Sequence, residues 1–112
     1  EFPELLSKLR DADVAVFATP VYFSDLSESL RAFLDRLRRI CMHEEGRNGI
    51  KGKKAIGICV AGGSGAGAPK CAANLDGILT RCGFAEVDIV PVRRQNLDTK
   101  CAALQAAGKT LV

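Results

Sequence analysis

Three short apolar runs divide the chain, at residues 12–19, 54–61 and 87–92. The first contains DVAVFAT, the second AIGICVA and the third VDIVPV, so apolar side chains fall on both faces of each run. A run of this length that is apolar on both faces is typical of a strand buried in a parallel sheet. Pro91 cannot donate a ladder hydrogen bond, so the third strand is predicted to lie at a sheet edge or to end there.

Around these runs, apolar residues recur every three or four positions, which predicts four helices. Pro3 fits the first turn of a short opening helix, and Gly83 fits the end of the third helix. The longest helix is predicted over residues 24–40, with Asp25 and Glu28 forming a capping box. The apolar positions of the four helices are Phe2, Leu5, Leu6 and Leu9; Leu26, Leu30, Phe33, Leu34, Leu37 and Ile40; Leu75, Ile78 and Leu79; and Leu97, Cys101, Leu104 and Leu111.

Helices and strands therefore alternate along the chain. Strands joined by helices of this length form crossovers on a parallel sheet, so the sequence predicts an α/β fold. Residues 43–53 are polar and contain Asn48-Gly49, which predicts a surface connection between a helix and the second strand. Residues 1–112 suffice for one domain, but three strands are few for such a sheet and no strand precedes the opening helix. We therefore expect a single, partial domain.

Composition and charge exclude several classes of protein. Apolar residues make up 47% and charged residues 26% of the chain, as in ordinary globular proteins. The net charge is only +3, with one Tyr and no Trp, so the chain lacks the dense basic and aromatic surface of a nucleic-acid-binding protein. No apolar run approaches the roughly twenty residues that span a bilayer, and no export signal is visible. The sequence thus predicts a protein that binds neither nucleic acid nor membrane.

Five cysteines are distributed over the predicted strands and helices without a C-x-x-C motif. An odd number in apolar segments is unlike a disulfide framework and favours a reducing cytoplasm. Cys41 and His43 could offer two metal ligands, but no second pair follows at zinc-like spacing, so no metal site is predicted. His43 is instead expected to be an exposed loop residue.

The loops that follow the strands are the candidate binding region, because in parallel sheets they gather at one edge beside the helix N-termini. Three loops qualify: TPVYFSD, GGSGAGAP and PVRRQN. In the first, Pro20 fixes the backbone, and Tyr22 and Phe23 can lie against a flat ring. This predicts a planar aromatic ligand. The alternative is that the two aromatic side chains cover a sheet edge or a partner surface.

Two further patterns compete with this interpretation. Gly63, Gly65 and Ala68 satisfy G-x-G-x-x-A, and Asp88 follows about twenty residues later, as in a dinucleotide fingerprint. The acid of that fingerprint should end its strand, however, whereas Asp88 is followed by IVPV, and too little chain remains for the second half of such a fold. In the third loop, two arginines could pair with the phosphate of a nicotinamide cofactor or simply be solvated; they are Arg93 and Arg94.

The segment ADVAVFATPVYFSDLSESLRAFLDR, residues 12–36, resembles the flavin-binding strand, loop and helix of NAD(P)H-dependent FMN reductases. The resemblance implies that the first loop wraps the isoalloxazine ring and that the glycine-rich turn of residues 62–67 borders its other side. The cofactor-binding residues that it implies are Thr19, Pro20, Val21, Tyr22, Phe23, Gly62, Gly63, Ser64 and Gly65. No catalytic side chain is implied, because the cofactor carries the reaction.

The resemblance also implies a flavodoxin-like doubly wound parallel sheet, here without its first strand and without the Ser- and Gly-rich loop that cradles the FMN phosphate. The implied function is that of an FMN-dependent oxidoreductase, which takes electrons from NAD(P)H and passes them to a flavin, a quinone or a similar small-molecule acceptor. The alternatives are a flavodoxin-like electron-transfer protein and a truncated module that binds no flavin. Residues 24–40 resemble the segment through which relatives pair, so we expect a homodimer or larger assembly, which an exposed patch around Phe23 and Leu26 would favour.

Overall fold

The computed structural model describes residues 1–111, apart from the side chain of Val87. Helices and strands alternate along this part as predicted, and none of its helices is both long and apolar enough to cross a membrane. The elements are α1 (Phe2–Asp11), β1 (Val14–Pro20), α2 (Glu28–Ile40), β2 (Lys54–Ala61), α3 (Ala68–Cys82), β3 (Ala85–Arg93) and α4 (Leu97–Leu111), with 3₁₀ turns at Glu45–Arg47 and Arg94–Asn96. The predicted α/β class is confirmed.

The strands form a parallel sheet in the order β1–β2–β3. Val14 lies opposite Lys54 at the start of the first pair, and Pro20 lies opposite Val60 at its end. In the described sheet β3 is an edge strand, and its Pro91 lies opposite Cys59. The edge position predicted from the missing proline N–H is therefore confirmed.

Helices cover both faces of this sheet. On one face, apolar residues of β1 and β2 form the main core with α2 and α3, and Leu6 and Leu9 of α1 pack against it. Ile89 of β3 also packs toward this core, so its neighbour Val90 points to the opposite face. There α4 packs on β3, and Val90 and Val92 are buried. Helices thus lie on both faces of the parallel sheet, as the predicted fold requires.

The free edge of β1 is apolar. A groove of about 410 Å³ is bounded there by α1, β1 and α2. On the α4 face of the sheet, Val16 of β1 is 59% exposed and Val60 of β2 is 46% exposed. An unpaired strand edge beside exposed apolar side chains is a position at which a further strand can pair.

Helix α2 begins later than predicted. Its N-cap is Ser27, whose hydroxyl accepts a hydrogen bond from the Leu30 amide at 3.2 Å. The predicted capping box of Asp25 and Glu28 is wrong, because the backbones of residues 22 and 25 pair in a tight turn before the helix. Ser27 therefore satisfies the free amides at the helix start in place of Asp25.

The connection between α2 and β2 is held at points that its polar composition does not indicate. Ile50 is completely buried. At Gly46 the backbone runs so close to α2 that a Cβ atom would lie 1.9 Å from the Ile40 carbonyl oxygen. The Gly46 carbonyl also accepts a hydrogen bond from the Arg10 guanidinium at 3.0 Å. His43 is exposed, as predicted, but the segment as a whole is a packed connection.

The cysteines occupy two kinds of environment. Cys101 is exposed, whereas Cys41, Cys59, Cys71 and Cys82 are buried, and all five are free thiols. Burial raises the pKa of Cys59 and that of Cys82 to about 12, and the neighbouring thiols of Cys71 and Cys41 act in the same direction. These buried thiols stay protonated and serve as small apolar core residues.

A carboxyl group between α3 and β3 binds its proton unusually tightly. The Glu86 carboxylate accepts a hydrogen bond from the Thr80 hydroxyl at 2.9 Å, and Asp76 lies 3.4 Å from the same hydroxyl. Burial, followed by the proximity of Asp76, raises the pKa of Glu86 to about 7. The folded chain therefore holds this proton more tightly than the unfolded chain does, and its stability falls as the pH rises from about 4.5 through about 7.

The Glu86→Gln variant should remove this loss. Above about pH 7.5 we expect the variant to be more stable than the wild type by about 1 kcal/mol, after allowance for solvent screening. Below the ordinary glutamate pKa the advantage should vanish, because both side chains are then uncharged. Urea unfolding across this pH range measures the difference, with Glu45→Gln at an exposed position as the control. A difference that does not change with pH would contradict the assignment.

Candidate functional site

The three loops that follow the strands meet at the carboxyl edge of the sheet. We define loop 1 as residues 19–27, loop 2 as residues 62–67 and loop 3 as residues 93–96. Loop 2 lies between the other two. A Cβ atom at Gly67 would lie 2.9 Å from the Ser24 hydroxyl of loop 1, and one at Gly65 would lie 2.4 Å from the Arg93 Cβ of loop 3. The convergence predicted from the parallel topology is therefore present.

Thr19 fixes loop 1 from the inside. The residue is only 2% exposed. Its hydroxyl donates a hydrogen bond to the Pro20 carbonyl at 2.7 Å and accepts one from the Ser27 amide at 2.9 Å. The side chain thereby joins the end of β1 to the N-cap of α2. Among the predicted site residues, Thr19 shapes the loop and does not present its side chain at the surface.

Loop 1 contains a hairpin turn that presents two aromatic side chains. The backbones of Tyr22 and Asp25 exchange two hydrogen bonds of 3.0 Å, and the central residues Phe23 and Ser24 have φ values of 50° and 62°. Positive φ at both central positions defines a type I′ turn, which residues other than glycine adopt only at an energetic cost. Phe23 is fully exposed at the tip, and Tyr22 is 60% exposed. The turn thus holds the Phe23 ring entirely in solvent and the Tyr22 ring mostly so.

Asp25 supports this turn. Its carboxylate accepts hydrogen bonds from the Leu26 amide at 2.8 Å, the Arg31 guanidinium at 2.5 Å and the Asn74 side-chain amide at 3.3 Å. The Leu26 hydrogen bond, together with Arg31, holds the pKa of Asp25 below its ordinary value. Since Arg31 lies on α2 and Asn74 on α3, the carboxylate ties the turn to two helices.

Loop 2 exposes its backbone. Gly63 and Gly65 have φ values of 56° and 76°, which glycine adopts without strain. The Gly65 amide donates a hydrogen bond to the Gly62 carbonyl at 3.0 Å, and the Ala66 amide donates one to the Ser64 hydroxyl at 3.3 Å. The backbone at Gly62, Gly63 and Ser64 lies at the surface, whereas Gly65 is buried. A flat ring can approach the main chain here because two of the three surface positions carry no side chain.

Loop 3 contacts loop 2 through side chains that sequence reasoning did not connect with it. The Arg94 guanidinium donates a hydrogen bond to the Gly63 carbonyl at 3.3 Å, and the Gln95 side-chain amide donates one to the Ser64 carbonyl at 3.4 Å. From the sequence, Arg93 and Arg94 could either pair with a cofactor phosphate or be solvated. The structure places both against loop 2, a role for which their sequence position gives no signal.

Other sequence patterns do not join this site as predicted. Leu26 is 5% exposed and packs into the core before α2, so an exposed patch that would favour pairing includes Phe23 but not Leu26. Asp88 lies within β3 opposite Ile56 and not at the strand end, so the G-x-G-x-x-A pattern does not form a dinucleotide fingerprint. Among the described residues, no three His, Cys, Asp or Glu side chains come together to hold a metal ion.

The arrangement fits a flat ligand that carries its own chemistry. Tyr22 and Phe23 offer apolar rings, and loop 2 offers an exposed backbone at the same sheet edge. The amides of Phe23 and Ser24 lie outside the pair of hydrogen bonds that closes the hairpin turn. Within the described part of the three loops, no hydroxyl or thiol is paired with a base as nucleophilic catalysis requires. In such a site the protein places the ligand and makes polar contacts with it through the backbone.

Comparison with known sequences identifies relatives. A family model described as NADPH-dependent FMN reductase matches residues 1–105. FMN-dependent NADH:quinone oxidoreductase 2 of Pseudomonas aeruginosa is 35% identical over 100 residues, which cover 84% of this chain and 50% of that protein. The FMN-dependent NADH:quinone oxidoreductase of Thiobacillus denitrificans is 32% identical over 111 residues, which cover 93% of this chain and 54% of that protein. The chain thus spans about half the length of these curated relatives.

Solved structures share the fold. General stress protein 14 of Treponema denticola, solved in complex with FMN, matches 100% of this chain and 74% of its own, with a TM-score of 0.76 and 17% identity. The Trp repressor binding protein of Bacillus subtilis matches 82% of this chain and 62% of its own, with a TM-score of 0.71 and 19% identity. These likenesses establish a flavodoxin-like α/β fold.

Proposed function

This chain belongs to the NADPH-dependent FMN reductase family, and from that premise we propose that it forms the ring-binding part of an FMN-dependent oxidoreductase. The proposed reaction takes electrons from NADH or NADPH and passes them to a quinone, a flavin or a similar small acceptor. Support for the quinone comes from the two relatives described as FMN-dependent NADH:quinone oxidoreductases.

One observation carries the proposal: two exposed aromatic rings and an exposed glycine-rich backbone lie at the same sheet edge. Gly67, where loop 2 meets loop 1, has no room for a side chain, because a Cβ atom there would lie 3.0 Å from the Ser24 backbone and 3.2 Å from Val21. The isoalloxazine ring of FMN is flat, with broad π faces and a polar edge, and these surfaces complement it. We assign ring contacts to Pro20, Val21, Tyr22 and Phe23 of loop 1 and to Gly62, Gly63 and Ser64 of loop 2, whereas the buried Thr19 and Gly65 would shape the two loops from inside.

Bound FMN would supply a hydride acceptor at its N5 atom, which removes the need for a reacting side chain. The residues of this chain would place the ring. Tyr22 and Phe23 would cover its apolar surface, and amides of loops 1 and 2 would meet its polar edge. Thr19 and Asp25 keep loop 1 in its conformation through the hydrogen bonds described above.

Steady-state oxidation of NADH and NADPH by the complete gene product that contains this chain tests the proposal. With FMN and a water-soluble quinone, we expect turnover in the usual range of about 1–10³ s⁻¹, and loss of that turnover when FMN is withheld. A flavin-loaded protein that is reduced only by a partner protein would show an electron carrier instead of an enzyme. A protein that binds no flavin would refute the proposal.

We also propose that a further strand pairs with β1 in the active protein and carries the contacts for the FMN phosphate. The free edge of β1, the apolar groove beside it and the exposed Val16 and Val60 support this proposal. Phosphate groups are commonly held by loop amides and a helix N-terminus, and such a loop at the end of a strand beside β1 would lie at the same sheet edge as loop 1.

The proposed assembly is a homodimer that pairs through residues 24–40, beside the hairpin turn of loop 1. Phe23 is fully exposed at the tip of that turn, and exposed aromatic side chains are enriched in interfaces, so without FMN its ring would lie against the partner. Light scattering at micromolar concentration should give twice the monomer mass, and Phe23→Ser should lower that mass toward the monomer value. A monomeric wild type would overturn the dimer.

The proposed compartment is the cytoplasm. Four buried free thiols and one exposed free thiol suit a reducing environment. Fractionation of the source cells, followed by detection of the chain in the soluble or the exported fraction, decides this point.

A further inference from the structure

Three consecutive residues at the end of β3 and in the turn that follows it hold loop 2 from one side. Arg93 contributes its aliphatic stem, and the next two residues contribute hydrogen bonds from their side chains. The three pairs are Arg93 with Gly65, Arg94 with Gly63, and Gln95 with Ser64. We refer to Arg93, Arg94 and Gln95 as the loop brace.

The loop brace stands on rigid elements. Arg93 is the last residue of β3, and the 3₁₀ turn Arg94–Asn96 leads directly into α4. The Arg93 amide donates a hydrogen bond to the Asn96 side chain at 2.9 Å, which closes this turn. A side chain on such a base can hold a neighbouring loop more precisely than one on a long flexible loop.

The contacts of the loop brace also set the direction of the peptide groups in loop 2. Residues 1–111, which the structure describes, contain no cis peptide bonds, and in a trans peptide the C=O and the following N–H point in opposite directions. Because the Gly63 carbonyl points to Arg94, the Ser64 amide points away from loop 3. Loop 2 touches loop 1 on its other flank, where Gly67 packs against Ser24 and Val21.

We propose that Arg94 and Gln95 are positioning residues for the flavin site: by holding the Gly63 and Ser64 carbonyl groups they fix loop 2 in the conformation that turns the Ser64 amide away from loop 3 and toward the bound ring. The inference rests on the proposed function, and neither side chain needs to touch the ligand. Two exposed hydrogen bonds of 3.3 and 3.4 Å, each near the lower end of the usual net strength, correspond together to roughly a tenfold change in an equilibrium. Loss of both side chains should therefore loosen loop 2 and weaken flavin binding by about that factor.

Amide hydrogen exchange, followed by NMR on the 112-residue chain itself, tests the loop brace without any cofactor. In the Arg94→Ala/Gln95→Ala variant we expect the amides of residues 62–67 to exchange about tenfold faster, while those of the core strands keep their rates. The matched control is Arg39→Ala/Gln105→Ala, which removes the same two side chains from exposed helical positions. Unchanged exchange in loop 2 would overturn the brace.

Titration of the complete gene product with FMN tests the positioning role. We expect a dissociation constant about tenfold higher in the Arg94→Ala/Gln95→Ala variant, a shifted flavin absorption band, and recovery of most of the affinity when Arg94 is replaced by Lys and Gln95 is retained. Wild-type affinity and spectrum in the double alanine variant would overturn this inference and leave the proposed function intact. A wild type that binds no FMN would refute the proposed function and the positioning role together, and the exchange experiment would still show whether the brace exists.

Discussion

Replacing Tyr22 and Phe23 together by Ala will weaken FMN binding to the complete gene product by about 100-fold. Two aromatic side chains stacked on a flat ligand contribute about 3 kcal/mol together, which corresponds to that factor. Since both rings are exposed in this chain, their removal should leave the fold stable. The wild type should purify yellow and the double variant colourless, and fluorescence titration with FMN gives the two dissociation constants.

The control for this experiment is Met42→Ala, which removes another exposed apolar side chain away from the three loops. Tyr22→Phe keeps the ring and should keep most of the affinity. We further expect the 112-residue chain alone to retain little FMN, because loops 1 and 2 supply contacts for the ring and not for the phosphate. Tight stoichiometric binding by the short chain, or unchanged binding after the double substitution, would be incompatible with this site.

The largest expected effect on stability comes from Gly46→Ala. The added methyl group would lie 1.9 Å from the Ile40 carbonyl oxygen, a backbone atom that cannot move without disturbing the end of α2. The shift would also disturb the hydrogen bond from Arg10 to the Gly46 carbonyl. Overpacking against backbone, together with this loss, should lower the free energy of unfolding by about 3 kcal/mol or more.

Gly77→Ala is the matched comparison, because it adds the same methyl group but should raise the free energy of unfolding instead of lowering it. Gly77 lies inside α3, and a Cβ atom there would meet nothing within 4 Å. Alanine is favoured over glycine in a helix interior by about 0.5–1 kcal/mol, so this variant should be more stable than the wild type. Urea unfolding of the three proteins measures both effects. If Gly46→Ala and the wild type were equally stable, the connection between α2 and β2 would have to shift at no cost to make room for the methyl group.

The regular elements could be predicted because the pattern that indicates them is local. β2 has the predicted bounds, and α3 ends beside Gly83 as its helix-ending preference suggests. The conformation of loop 1 could not be predicted in the same way. A type I′ turn is usually marked by Asn or Gly, whereas here Phe23 and Ser24 occupy its centre. The support for that turn reaches Asn74 on α3, a contact that only the folded chain brings about.

In the candidate site, too, the features set by local pattern and topology could be predicted, and the side-chain contacts between loops could not. Sequence reasoning brought loops 1 and 2 together because parallel strands place their following loops at one edge. It did not predict the contacts of Arg94 and Gln95 with loop 2, since those depend on how far β3 extends and on the 3₁₀ turn after it. It also took Leu26 for a residue of the helix, because its spacing from Leu30 suits one, whereas α2 starts only at Glu28. Which side chains of neighbouring loops contact each other depends on distances in the folded chain, and the sequence pattern does not give those distances.

Because four cysteines are buried and one is exposed, the rate at which a reagent modifies the buried thiols reports how often the fold opens locally. In the native state a thiol reagent meets Cys101, whereas the four buried cysteines become modified only when α3 separates from its neighbours. Cys71 lies near the start of α3, close to loop 2, and Cys82 is the last residue of that helix. Comparing the alkylation rates of these two positions by mass spectrometry would reveal whether the end of the sheet that carries loops 1 and 2 unfolds locally without the opposite end. A ligand seated on loops 1 and 2 should then slow the modification of Cys71 more than that of Cys82.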